Sequence, residues 1–348
     1  MEKVIVNETP IRTSRNFGIN NIKLENIVLP ENLNKFENVK ITSNHCEVSD
    51  VKPNVKLVYG MSNVFEENLE KNCNSALKVS SEKKDDICIE YCFDDNNADL
   101  LNYLEIEAIK DINVIIKYIS NTDKECFHNG ILRVNAKNGA KLNIAIINLL
   151  NNKSLNFESI ENSFENDAVV NYTIIDIGAK TSVSNYYSNI IGENADNDLK
   201  SIYLGIGEQR KDINYIAELR GTKTNIDIDV QGALKDFAKK NFKGTIDFKK
   251  GSKKAKGNEN EYCMLLSDKA KSIALPMLLC TEEDVEGNHS TASGKVDEKQ
   301  LFYIMTRGIS YKEAVKLIVK SKFNKIIERI SDEDLKEEVL SEIDKRLD

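Results

Sequence analysis

Histidine and proline are scarce: three and four residues among 348. With His45 and His128 far in sequence from His289, a histidine-based metal site must be assembled by folding or shared with another chain. Apolar runs are short, and none approaches the roughly 20 residues that span a bilayer. Met1-Glu2-Lys3-Val4 lacks the basic and then apolar pattern of a secretory leader. The sequence is therefore read as cytoplasmic with no membrane partner. Several catalytic signatures are also missing. There is no Gly-x-x-x-x-Gly-Lys-Ser/Thr loop, no Gly-x-Ser-x-Gly elbow, no His-Glu-x-x-His and no Gly-x-Gly-x-x-Gly after a strand, which removes the P-loop, hydrolase, zincin and dinucleotide readings.

Seven cysteines occur without a Cys-x-x-Cys pair, and in a long leaderless chain they read as reduced thiols. Cys88 and Cys92 fall on one face of a strand and are expected to be buried as small apolar side chains. A net charge of −8 argues against a nucleic-acid partner. The lysines from Lys249 to Lys256 crowd a Gly-Ser turn without interleaved aromatics and read as a solvated loop.

What the chain does have is strands. After Pro53 no proline occurs until Pro276, and from about Leu104 to Leu279 short apolar segments alternate with period two. Examples are Asn113-Val114-Ile115-Ile116-Lys117-Tyr118-Ile119 and Thr224-Asn225-Ile226-Asp227-Ile228-Asp229-Val230. Turn residues such as Lys137-Asn138-Gly139 separate them at intervals of about 10 to 15 residues. Such a run excludes a doubly wound α/β sheet and leaves a sandwich, barrel, propeller or solenoid. The length of the alternation, without blade repeats or signs of closure, favours a mainly β chain built on a β-solenoid.

Three regions follow: a mixed N-terminal region over 1–99, a β core over 100–296, and a small helical domain over 297–348. Ser62 to Glu70 suits a short helix. Asp297 is placed to N-cap a helix through Thr306, with Gly308 ending it. Ser310 and Glu313 have capping-box spacing, and Ser331 is the expected cap of the last helix. This helical domain is too thin to be stable alone, so its apolar stripe needs the β domain or a partner.

The densest block is Val285-Glu286-Gly287-Asn288-His289-Ser290-Thr291-Ala292-Ser293-Gly294. Small neighbours leave the His289 ring accessible, and neutral imidazole is the commonest metal-ligating side chain. Cys263 and Cys280 lie on strands just upstream, and either can approach His289 if adjacent coils stack. Softness would then favour iron-sulfur species or zinc over calcium.

Gly232-Ala233-Leu234-Lys235-Asp236, Phe242-Lys243-Gly244, Met264-Leu265-Leu266-Ser267-Asp268-Lys269-Ala270, Ala274-Leu275-Pro276, Glu286-Gly287-Asn288-His289 and Leu301-Phe302-Tyr303-Ile304-Met305-Thr306-Arg307-Gly308 stand in order at consistent spacing. Together they resemble the SufB/SufD family of iron-sulfur cluster assembly scaffolds. The likeness is strong over the last third. In the first hundred residues it is carried only by Thr9-Pro10-Ile11-Arg12-Thr13.

The resemblance implies a right-handed parallel β-helix core and a non-enzymatic scaffold subunit. It implies pairing with a SufB-like subunit, or with a second copy, and docking of a SufC-like ATPase through the C-terminal helices at Leu301, Phe302, Tyr303, Arg307 and Gly308. A cysteine desulfurase or other sulfur donor would act indirectly. A transient iron-sulfur cluster would form at the subunit interface from a SufB cysteine and a SufD histidine, the latter corresponding to His289.

The SufB cysteine position falls on Glu261, with Cys263 two residues on. Asn288 and Ser290 flank the histidine where SufB tends to carry glutamates, so the chain is most like SufD. The alternatives are a SufB-like subunit of a scaffold made with SufC alone, a polysaccharide-active β-helix enzyme, and a purely structural module.

Overall fold

The computed structural model describes residues 3–13 and 18–348. Met1 and Glu2, part of the N-terminus read as leaderless, lie outside them. The N-terminal region holds β1 (Lys3–Val6), β2 (Ile22–Glu25), β3 (Val39–Thr42), β4 (Glu47–Asp50) and helix α1 (Asn63–Asn72). Sixteen strands follow: β5 (Ser75–Ser81), β6 (Asp85–Phe93), β7 (Asp99–Ala108), β8 (Ile112–Ser120), β9 (Phe127–Ala136), β10 (Lys141–Leu149), β11 (Leu155–Phe164), β12 (Val169–Asp176), β13 (Thr181–Ile190), β14 (Asp196–Gly205), β15 (Arg210–Leu219), β16 (Asn225–Leu234), β17 (Lys239–Phe248), β18 (Ala255–Leu265), β19 (Lys271–Cys280) and β20 (Val285–Lys295). Helices α2 (Glu298–Met305), α3 (Tyr311–Ile327) and α4 (Glu333–Leu347) close the chain.

Even-numbered strands β6 to β20 pair in parallel as one sheet, and odd-numbered strands β5 to β19 as the other. Each strand therefore pairs with the strand two further on, as Asn148 does with Asp176, 28 residues away. This is a β-solenoid of about eight turns, as the alternation pattern leads one to expect. Parallel pairing already begins at β5, ahead of residue 100.

Between the sheets lies a continuous apolar core that includes Ile116, Ile144, Tyr172, Leu199 and Ile228, one from each successive even-numbered strand. Edge-to-face aromatic contacts run along it from Tyr172 through Tyr186 and Tyr215 to Phe242.

Much of both outer faces is covered as well, so strands such as β10 and β15 are buried on both sides over most of their length. Phe65 and Leu69 of α1, with Ile22 and Leu24 of β2, pack on Leu101, Phe127 and Phe157 of the odd-numbered sheet. Ile318, Phe323 and Ile326 of α3 and Val339 and Ile343 of α4 pack on Ile147, Ile175, Ile202 and Met264 of the even-numbered sheet. At roughly 1.5–3 kcal/mol for each large side chain fully buried, α3 and α4 are part of the fold's own core.

Caps follow local chemistry. Asp297 accepts hydrogen bonds from the Lys299 and Gln300 amides, and Ser310 accepts from Glu313. The last helix departs from the expectation that Ser331 caps it. Asp332 does so, its carboxylate accepting from the Leu335 amide at 2.9 Å, where a negative charge also meets the positive end of the helix dipole. Cys88 and Cys92 share a face of β6 as expected, but that face is the outer one and both are only half-buried.

Candidate functional site

The solenoid is open at its C-terminal end. Strands β20 and β19 are the unpaired edges of the two sheets, and β20 is exposed along most of its length. A long, flat edge with free backbone donors and acceptors is a template for another strand unless something covers it. Leu278 of β19, in register with the core residue Ile246, is also exposed there. His289 lies in the middle of β20, and its ring is open to solvent.

Register decides what stands beside it. His289 pairs with Glu259 of β18, and Glu259 with Ile228 of β16, an interior residue. Side chains at paired positions share a face, so His289 belongs to the inward-facing column and is exposed because no further coil lies over it. Cys263 pairs with Ser293, four positions along the strand from the His289 pairing. At about 3.3 Å per residue, this separates the Cys263 and His289 positions by roughly 13 Å along the strand direction. Cys263 is wholly buried, and burial pushes its thiol above the ordinary range. Cys280 is exposed at the end of β19, its Sγ donating to the Glu282 carbonyl at 2.9 Å. The pairing thus brings His289 beside a carboxylate rather than beside either thiol.

Beneath the open end the core changes character. Glu259, Glu261 and Cys263 all point inward from β18. Glu261 accepts from Lys240 Nζ at 2.7 Å and from the Tyr203 hydroxyl at 2.7 Å, inside a cluster closed to water. Two glycines make the space. A Cβ on Gly232 would lie 1.8 Å from Cζ of the Tyr203 ring, and one on Gly244 would lie 2.2 Å from Glu259 Oε1.

Glu259 is the anomaly. It is fully buried, and neither carboxylate oxygen has a hydrogen-bond partner. Desolvation first, and then repulsion from Glu261, raise its pKa to about 8. At neutral pH it is held largely as the neutral acid.

The expected docking residues divide by their orientation on α2. Leu301 is buried against the sheet, whereas Phe302 and Tyr303 are 70% and 59% exposed. Arg307 lies over the Tyr303 ring and donates to its hydroxyl at 3.0 Å. Gly308, with φ of +88°, takes the left-handed conformation that turns the chain towards α3. A cleft of about 650 Å³ runs beside α2, lined in part by Leu266, Val296, Phe302, Met305 and Tyr311.

Sequence reasoning missed Glu259, Lys240 and Tyr203. Their signal was present but mute: Glu259-Asn260-Glu261 alternates, yet alternation among polar residues does not say which set faces inward. Among the described residues no group of three or more His, Cys, Asp or Glu side chains is arranged to hold a metal ion. No helix among them is long and apolar enough to cross a membrane.

Residues 99–322 match the family model described as SUF system FeS cluster assembly, SufBD core domain. The iron-sulfur cluster assembly protein SufD of Bacillus subtilis is 25% identical over 261 residues, 74% of this chain and 60% of that protein. SufD of Escherichia coli is 23% identical over 252 residues, 72% of this chain and 60% of that protein. An iron-sulfur cluster assembly SufBD family protein of Pyrococcus horikoshii is 32% identical over 151 residues, 42% of this chain and 33% of that protein. The aligned region thus spans 60% of the length of each SufD relative.

Proposed function

Since the chain belongs to the SufB/SufD family of iron-sulfur cluster assembly proteins and is most like its SufD members, we propose that it is a non-enzymatic scaffold subunit whose open solenoid end completes a cluster-assembly site with a second subunit. The observation that carries this reading is the exposed edge strand β20, paired on one side only, with His289 at its centre. A SufB-type chain is the proposed partner at that edge, and a second copy of this chain is the alternative.

The cluster is cargo, and its iron and sulfide are the substrates. His289 offers an exposed imidazole, a competent ligand for iron. The thiolate is assigned to the partner. Glu261, which the resemblance puts at the SufB cysteine position, is locked to Lys240 and Tyr203, while Cys263 is shielded and its thiol is held protonated. These facts favour the SufD-like role over a SufB-like one.

A SufC-type ATPase is proposed to dock on α2 through Phe302 and Tyr303, beside the cleft. Its nucleotide-driven closure would reshape the interface where iron and sulfur meet, and the sulfur donor would act through the partner. The cytoplasm, where all seven thiols stay reduced, is the proposed compartment.

Anaerobic co-expression with SufB-type and SufC-type chains, followed by size analysis, tests the assembly. A complex containing all three chains is expected. In it, Phe302→Ala with Tyr303→Ala should release the ATPase and keep the solenoid pair, because both side chains are solvent-exposed. Undiminished ATPase capture by that variant would overturn the docking assignment. Truncation after Gly308 is a poorer test, since α3 and α4 cover the even-numbered sheet.

A further inference from the structure

A second surface of the solenoid is built for an anion. The β1–β2 hairpin lies over the outer face of the odd-numbered sheet, tied down where Asn7 Nδ2 donates to Asp212 Oδ1 at 2.7 Å and to the Ser184 carbonyl at 3.1 Å. Between hairpin and sheet is a cleft of about 590 Å³. Ile5, Ile22 and Ile273 contribute apolar lining, and Lys23, Arg210, Lys239 and Lys271 contribute exposed cations.

Three of these cations form a column. Arg210 is paired in register with Lys239, and Lys239 with Lys271, at the first positions of β15, β17 and β19. Neighbouring strands lie about 4.8 Å apart, and like charges directly opposite weaken a ladder. The chain carries this column although its net charge is −8.

The carboxylates at the margin are mostly engaged elsewhere. Glu8 pairs with Arg12, Glu25 with Lys3, Asp268 with Lys295 and Asp212 with Lys243. Glu25 feels Arg210 only as a lesser influence, and Glu208 lines the adjoining hollow beside Lys239 and Lys271. Among the described residues, none of Lys23, Arg210, Lys239 and Lys271 has a carboxylate ion-pair partner of its own.

We propose that this cleft binds a phosphate ester of nucleotide size, its phosphates on the Arg210, Lys239 and Lys271 column and its less polar body against Ile5, Ile22 and Ile273. The volume falls within the range of small-molecule sites, about 300–1,000 Å³. Arginine and lysine together are the usual phosphate-binding pair. The hairpin closes one side, which suits a compact ligand better than a through-running acidic peptide. Four cations are too few for the extended contacts of a nucleic-acid strand. The cleft lies on the outer face of the sheet, so the proposal does not depend on the assembly reading above.

The test titrates the full chain with the fluorescent nucleotide N-methylanthraniloyl-ADP at low salt, with pyrophosphate and a poly-glutamate peptide as competitors. Saturable binding displaced by pyrophosphate is expected. Lys239→Gln with Lys271→Gln should weaken it by at least about tenfold, since each lost charge-assisted contact is large on this scale. Lys253→Gln with Lys254→Gln, in an exposed turn elsewhere, should leave it unchanged. If the double variant does not fold by circular dichroism, Arg210→Gln replaces it. The absence of saturation up to about 1 mM, a weak-binding limit, overturns the site. So does equal binding by the cleft variant and the turn variant. Displacement by poly-glutamate but not by pyrophosphate overturns it as well, and assigns the surface to an acidic protein segment.

Discussion

Replacing Glu259 by glutamine should change how stability depends on pH. In the native protein the pKa of this buried carboxyl is raised from 4.5 to about 8, chiefly by loss of water. Between those two values the native state holds a proton that the unfolded state has released, so stability falls as pH rises through the interval and levels off above about 8. Each pKa unit is about 1.4 kcal/mol, so the loss accumulated between pH 5 and pH 9 is roughly 4 kcal/mol. Glutamine has nearly the same shape and does not titrate. At pH 5, where the native residue is the neutral acid, the two proteins should differ by no more than about 1 kcal/mol. At pH 9 the variant should be the more stable by roughly 4 kcal/mol. Glu158, which burial raises to about 7, titrates in both proteins and cancels in the difference. Urea unfolding midpoints measured across this pH range read the effect directly. Parallel curves for the two proteins would refute the claim that Glu259 is buried without a partner.

Two other perturbations probe the same interior. Lys240→Met leaves Glu261 buried without its cation and should cost about 3–5 kcal/mol, a fall in melting temperature of roughly 4–7 °C for a chain of this length, with much of it restored by adding Glu261→Gln. A loss below about 1 kcal/mol would show that the pair is open to water. Gly232→Ala drives a methyl group into the Tyr203 ring and breaks its bond to Glu261, so a loss of about 2–4 kcal/mol is expected in the same unfolding assay. An unchanged midpoint would mean that the ring has another place to go.

The strands were legible because period-two patterning is a direct imprint of alternating side chains, and the Asp297 and Ser310 caps because their chemistry is local. The repeat was not. Five successive coils, from β9–β10 to β17–β18, turn from the odd-numbered to the even-numbered sheet through a left-handed residue, and they place Gly139, Asp167, Asn194, Lys223 and Lys254 there. What recurs is a backbone conformation rather than a residue type, so no sequence period marks it. His289 could be singled out because small residues flank it, and those neighbours lie on an exposed edge. Glu259 could not. A glutamate in an alternating polar segment reads as solvent-facing, and only the register with Ile228 and His289 shows that its face is the inner one.

The central claim is that His289 supplies one side of a shared cluster-assembly site. Its most direct measurement is the iron and acid-labile sulfide content of the three-chain complex, purified anaerobically with His289 intact and with His289→Ala. Since the ring is exposed on β20, the variant should fold, pair and hold the ATPase as before, yet carry several-fold less iron and sulfide. Equal iron and sulfide in the two complexes would remove His289 from the chemistry.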